Sequence, residues 1–350
     1  MSPDSRPLGL GVAGCGNLSY WTHLPLAQRL RGARLVGAAD PDADARQRAA
    51  TRAKVPIVAD LDDLLAMESV EAVLIVTPTH LHASTAVRCL EAGKHVYIEK
   101  PLASTSEDAD RVRAAAQRSD RVLRVGFNRR LHPAFEQAKR AILDGRIGTV
   151  RSVTTRFCEP SVTADMAAWR RRRESGGGTL FDLASHHVDL VRWLLNDEIA
   201  DVNAHIRSEE SDHDEAWLEL RTRKGVVATG FYSFRAGRSD TMDIVGSRAT
   251  IRIDRHRTGA RVQTSRRLGY GVRNTGLPTT RAIWQWRLAR LVRPSLESSY
   301  RRSLQQFVAE CQGHSERLLA DVDDGRRNLE VLLAAETAAQ NDRRVELPPT

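Results

Sequence analysis

Short apolar runs alternate with amphipathic stretches along the first third of the chain. Leu8–Ala13 runs into Gly14-Cys15-Gly16, and a helical spacing of Leu24, Leu26, Ala27 and Leu30 follows. A second apolar run, Arg34–Ala39, is closed by Asp40-Pro41, with a helix-like Asp42–Ala53 behind it. The pattern then predicts a short strand near Pro56–Val58, a helix over Leu61–Met67, and a strand Val70–Val76 ending at Thr77-Pro78. Next come a helix Ala83–Ala92, a strand His95–Ile98 ending at Glu99-Lys100-Pro101, a helix Glu107–Arg118 and a strand Val122–Val125. Short apolar strands separated by helices predict a doubly wound parallel sheet of the Rossmann kind, an α/β fold.

Beyond Phe127 the texture changes. A helix over Pro133–Asp144 closes on Gly145, and an alternating strand, Val150–Phe157, follows Gly148. The basic run Trp169–Arg173 leads to Gly176-Gly177-Gly178 and a helix over Thr179–Leu195. Strand-like stretches at Asp201–Ile206, Ala216–Thr222, Val226–Phe234, Asp240–Val245 and Thr250–Ile253 are separated by turns, which predicts a largely antiparallel open sheet. The chain is helical again from Tyr300, with Leu304, Phe307, Val308 and Cys311, and over Val331–Ala339. The two textures divide the chain into a Rossmann domain over 1–127 and an α+β domain over 128–350.

Composition narrows the picture. The 350 residues are enough for two ordinary cores. No run approaches the ~20 apolar residues of a membrane span; the longest, Val70–Val76, is interrupted by Glu71. Met1–Pro7 has no apolar signal core, and the four cysteines (Cys15, Cys89, Cys158, Cys311) are too scattered for a disulfide framework or a zinc site, so a cytoplasmic protein without metal is expected. The net charge of +9 would suggest polyanions as partners. Residues 251–300, however, hold eleven Arg against Asp254 and Glu297, so the excess belongs to one insertion-like segment. Within it Arg281–Arg293 can form an amphipathic helix ended by Pro294. Packing against the body or another subunit, a grip on a phosphate-bearing substrate, and contact with a membrane surface all stay open for this segment; no nucleic-acid partner is expected. Only five of the 53 basic residues are Lys, which makes a Lys inside a motif informative.

Two strand ends carry candidate chemistry. Gly14-x-Gly16-x-x-Ser19 stands between a strand and a helix, where glycines let the backbone approach a pyrophosphate. Asp40 lies 21 residues beyond Ser19, at the end of the second strand; its carboxylate suits a ribose 2′-OH and repels a 2′-phosphate, favouring NAD over NADP. A plain turn or helix-capping role is the alternative. Thr77-Pro78 and Glu99-Lys100-Pro101 also end parallel strands, where ligands bind, and Pro101 restrains Lys100 from the α region. On the helix after the glycine triplet, Asp182, His186 and Asp189 are spaced i, i+4 and i+7, a carboxylate–imidazole–carboxylate row on one face. His186 can exchange a hydroxyl proton near neutral pH, whereas His187 points to the apolar side as a core histidine.

These motifs together resemble the glucose–fructose oxidoreductase/inositol dehydrogenase (Gfo/Idh/MocA) family. The resemblance rests on Gly-Cys-Gly with His23-Leu24-Pro25, Thr77-Pro78-Thr79-His80-Leu81-His82, Ala92–Pro101, Phe127-Asn128-Arg129-Arg130, Gly145-Arg146-Ile147-Gly148 and Gly176–Gly178 leading to Asp182 and His186. It covers about residues 8–255, resumes in the C-terminal helices and is poorest over 251–300. It implies an NAD(P)-dependent oxidoreductase acting on a hydroxyl of a sugar, cyclitol or aminocyclitol, often a homodimer or homotetramer. It carries catalytic roles onto Lys100, Asp182 and His186. Cofactor contacts are expected from Gly14, Gly16, Asn17, Leu18, Asp40, Thr77, Pro78, His82, Glu99 and Lys100. Substrate contacts are expected from Asn128, Arg129, Trp169, Arg173 and Asp182. Ala184 stands where relatives commonly have glycine. A nucleotide-sugar oxidoreductase using the Arg-rich segment, and a cofactor-binding regulator without chemistry, are the competing readings.

Overall fold

Six strands form one all-parallel sheet in the order β3-β2-β1-β4-β5-β6. They are β1 (Leu8–Ala13), β2 (Ala33–Ala39), β3 (Ile57–Val58), β4 (Ala72–Ile75), β5 (His95–Ile98) and β6 (Leu123–Val125). β1 and β4 are buried at every residue, as strands covered by helices on both faces must be. The order reverses between β1 and β4, the switch point at which such sheets bind ligands. The computed structural model describes residues 6–160, 166–255, 259–265, 272–276, 298–314 and 319–349. The helix expected over Arg281–Arg293 lies outside the described residues, as does most of the basic segment.

By packing, the chain forms two units: Met1–Asn128 with Ala289–Arg326, and Arg129–Leu288 with Arg327–Thr350. A division into 1–127 and 128–350 omits this return of the chain to the first unit. The return is built on side chains far apart in sequence. On the helix Ser298–Cys311, Ser303 Oγ meets the buried Tyr97 hydroxyl at 2.9 Å, and Phe307 lies edge-on to the Tyr97 ring. Arg124 Nε donates to Glu310 at 2.6 Å, and Val125 bridges to Ala320.

The helix expected after the glycine turn is not continuous: Ser19–His23 forms a π-helical turn before a single α turn, Leu24–Ala27. Pro25 supplies the reason. It lacks the N–H that a straight helix would give to Trp21, and its ring would press on that carbonyl.

In the second unit nine strands form a mixed sheet, ordered β14-β13-β12-β11-β7-β10-β9-β8-β15. These are β7 (Val150–Cys158), β8 (Ile199–Arg207), β9 (Glu215–Thr222), β10 (Val227–Ser233), β11 (Ser239–Gly246), β12 (Thr250–Asp254), β13 (Gly259–Ser265), β14 (Val272–Gly276) and β15 (Val345–Glu346). Every pairing is antiparallel except β7 with β10. The last three strands carry no clear alternation and were not expected. The helix read over Thr179–Leu195 is likewise two pieces, a π turn Leu180–Ala184 and an α-helix Ser185–Leu195. Among the described residues no helix is long and apolar enough to cross a membrane, and no cluster of His, Cys, Asp and Glu could hold a metal ion.

Candidate active site

In the first unit the glycine turn rests directly on the end of β4. Gly14 has φ +96°, and a Cβ there would lie 2.6 Å from the Val76 carbonyl oxygen, so only glycine fits. At Gly16 a Cβ would meet nothing within 4 Å, which leaves the backbone open to a ligand. Asp40 closes the turn from the side: Cys15 N–H donates to Oδ2 at 2.6 Å, and Asp42 N–H to Oδ1 at 2.9 Å. The turn role of Asp40 is therefore visible in the structure. Arg48 donates to Asn17 Oδ1 at 3.3 Å, and Leu18 is exposed. Thr77 Oγ1 is enclosed with no hydrogen-bond partner among the described residues. An open glycine cradle, an orphaned hydroxyl at the end of β4 and a carboxylate at the end of β2 together fit a dinucleotide.

Lys100 is half-buried beyond the end of β5, and both of its neighbours are anchored. The buried Glu99 carboxylate meets His23 Nε2 at 2.9 Å. His82 spans two strand-end segments, with Nδ1 2.7 Å from the Pro101 carbonyl and Nε2 3.0 Å from the Thr77 carbonyl. Burial pushes the His82 pKa down. The Glu99 contact and the His82 ring thus brace the backbone around Thr77 and Lys100.

In the second unit the glycine triplet is a close-packing device. A Cβ at Gly177 would lie 2.4 Å from the Arg170 carbonyl oxygen, and one at Gly178, where φ is +89°, 2.9 Å from His213 Cβ. Thr179 then donates through both N–H and Oγ1 to the His213 carbonyl, at 2.8 Å each. This sets the π turn that carries Asp182, whose side chain is 20% exposed and accepts from Arg170 Nε at 3.0 Å and from Nη2. His186 is 7% exposed, its ring 6.3 Å from that of Phe157.

The expected row ends at His186. Asp189 is buried, accepting from Arg130 Nε at 2.9 Å and Nη2 at 2.6 Å. A carboxylate driven into the interior requires such a forked partner. His187 is the core histidine expected, fully buried, stacked on Phe157 and 3.1 Å from Asp240 through Nε2.

Three of the expected substrate contacts are engaged within the fold. Asn128 donates to Ser299 Oγ at 3.0 Å. Arg129 lies 4.1 Å over the Phe157 ring and pairs with Asp240. Arg173 forks onto Glu336 and covers the Phe181 ring at 3.9 Å. Trp169 is half-buried in the turn Ala168–Arg171. Sequence reasoning named Arg170 only as part of a basic run that could line the substrate entrance or be solvated, and passed over Asp240 and Glu336, whose partners lie far away in the chain. No local pattern marks the latter two.

A family model described as "Oxidoreductase family, NAD-binding Rossmann fold" matches residues 8–127, and one for the GFO/IDH/MocA C-terminal domain matches 135–252, ending where the basic segment begins. The chain is 34% identical over 198 residues to a 1-carboxy-3-chloro-3,4-dihydroxycyclohexa-1,5-diene dehydrogenase of Comamonas testosteroni, a match spanning 56% of this chain and 50% of that relative. It is 30% identical over 313 residues to inositol 2-dehydrogenase 2 of Saccharopolyspora erythraea, covering 86% of this chain and 84% of that one. The solved structure of the WlbA dehydrogenase from Bordetella pertussis, in complex with NADH and UDP-GlcNAcA, superposes with a TM-score of 0.80 at 25% identity, over 99% of both chains. The chain therefore belongs to the Gfo/Idh/MocA family of oxidoreductases, with an NAD-binding Rossmann domain ahead of the family's C-terminal domain.

Proposed function

We propose that the protein is an NAD-dependent dehydrogenase of a ring hydroxyl on a cyclitol, aminocyclitol or sugar, or reduces the corresponding ketone. When bound, NAD supplies the hydride acceptor at its nicotinamide. Lys100 donates a hydrogen bond to the reacting oxygen and stabilises the charge that develops there. His186 takes the hydroxyl proton in oxidation and returns it in reduction. Asp182 accepts a hydrogen bond from a neighbouring substrate hydroxyl. The observation that carries this reading is Lys100 itself: a scarce lysine at a strand end, with Glu99 tied to His23 and Pro101 to His82. The likeness to an inositol 2-dehydrogenase over 86% of this chain supports the substrate class.

A second reading, a nucleotide-sugar oxidoreductase, is favoured by the likeness to the WlbA dehydrogenase. A panel of inositols, free sugars and nucleotide sugars, read by NADH absorbance in both directions, separates the two. Turnover of free cyclitols or sugars is expected; turnover confined to nucleotide sugars would replace the first reading with the second.

The same assay tests Asp40. NADH is expected to be preferred over NADPH by about 10- to 100-fold, the worth of one hydrogen bond to a charged group. Asp40→Ala is expected to erase most of that preference. Equal use of both cofactors by the wild type would remove the ribose role from Asp40.

A further inference from the structure

The basic run before the glycine triplet is not a uniform solvated face. Arg172 is exposed and pairs with Glu174, and Arg173 pairs with Glu336 on the helix Val322–Asn341. Arg170 is built in differently. Its carbonyl accepts from Gly178 N–H at 3.1 Å and lies against Gly177 so closely that any side chain there would collide with it. Its guanidinium lies 5.5 Å over the Phe234 ring and directs both Nε and Nη2 to a single oxygen of Asp182, Oδ2. Arg170 thus grips the segment at two points, the backbone before the π turn and the carboxylate within it.

We infer that Arg170 is the positioning residue of Asp182, fixing the rotation of its carboxylate and holding it ionised, so that His186 and not Asp182 exchanges the substrate proton. The inference rests on the reading of Lys100, Asp182 and His186 given above. Two N–H donors from a cation converge on one carboxylate oxygen, which favours the charged form and makes it a poor proton acceptor near neutral pH. Asp182 in turn strengthens the hold of Arg170 on its own proton. A carboxylate kept in one charge state and one rotamer is suited to orient a hydroxyl. Gly177 acquires a chemical purpose as well, because a Cβ there would push away the backbone that delivers the guanidinium.

The experiment uses the full-length protein with NAD and the substrate found in the panel. Arg170→Met is expected to lower kcat/KM by about 10- to 100-fold and to move the acid limb of its pH profile upward, because Asp182 then protonates more readily. Arg170→Lys keeps the charge without the fork and is expected to fall between. Millimolar guanidinium is expected to restore part of the activity of Arg170→Ala, which a purely structural lesion would not allow. An Arg170→Met enzyme with wild-type kcat/KM and pH profile would overturn the proposal. So would a loss with an unmoved acid limb and no rescue.

A double-mutant cycle of Arg170→Met and Asp182→Asn, read by urea unfolding, needs no substrate. Non-additivity of about tenfold in the unfolding constant is expected; additive effects mean that no pair exists and sink the proposal even in an active dehydrogenase. If the wild type turns over nothing in the panel while the cycle shows coupling, the ion pair stands, and the functional reading and the catalytic purpose assigned to Arg170 fall together.

Discussion

Lys100→Met is expected to lower kcat/KM by about 10²- to 10³-fold, the usual loss when a single donor to a developing oxyanion is removed. Methionine keeps the length of the stem and removes the ammonium, so the change isolates the charge and its hydrogen bond. NADH binding, followed by fluorescence titration, is expected to change far less, because the glycine turn and Asp40 are untouched. Lys100→Arg preserves charge, yet its planar fork cannot reproduce a compact point charge at a clamped position, and it is expected to remain impaired. The clamp supports this. Glu99 is tied to His23, while the His82 ring lies against the carbonyls of Thr77 and Pro101. Wild-type turnover by Lys100→Met would remove the lysine from the chemistry.

Asp240→Asn is expected to cost about 3–5 kcal/mol of stability at neutral pH, measured by chemical denaturation. Asp240 is 1% exposed and is met by Arg129 at 3.0 Å, by Arg255 at 2.5 Å and by His187 at 3.1 Å. Burial alone would raise its pKa, but the two guanidiniums and the His187 hydrogen bond overcome this and hold it well below the ordinary value. A carboxyl depressed in the folded state contributes stability above its unfolded pKa and loses it as pH falls through the folded one. The difference between wild type and Asp240→Asn is therefore expected to stay constant above about pH 5. Below that it shrinks as the unfolded chain takes up a proton that the folded chain refuses. A substitution that leaves stability unchanged would show that the arginines do not depend on this carboxylate. Because His187, a member of this cluster, is next to His186 on one helix, loss of Asp240 is also expected to loosen the site.

Much of the molecule is written locally. The alternation of apolar runs with amphipathic stretches determined the parallel sheet and nearly every strand in it, because a strand covered on both faces can be built only from apolar residues. Gly14, Gly16 and Asp40 were legible because their conformational and charge demands fall on fixed positions along one strand–turn–helix unit. The Glu99-Lys100-Pro101 motif was legible because lysine is rare in this chain. Other features had no local signature. Both π turns change a helical register that sequence spacing treats as constant, and Asp189 passed from a predicted polar row into a buried pair with Arg130. The charges of Arg129, Arg170 and Arg173 were visible as charges, but not the carboxylates that hold them, which stand 111, 12 and 163 positions away. The strands β13, β14 and β15 and the return of Ser298–Cys311 to the first unit were decided in the same way. Sequence alone determined where backbone geometry and burial were demanded residue by residue. Only the tertiary structure decided which charges were already neutralised, because the energy of a buried charge depends on the partner that folding brings to it.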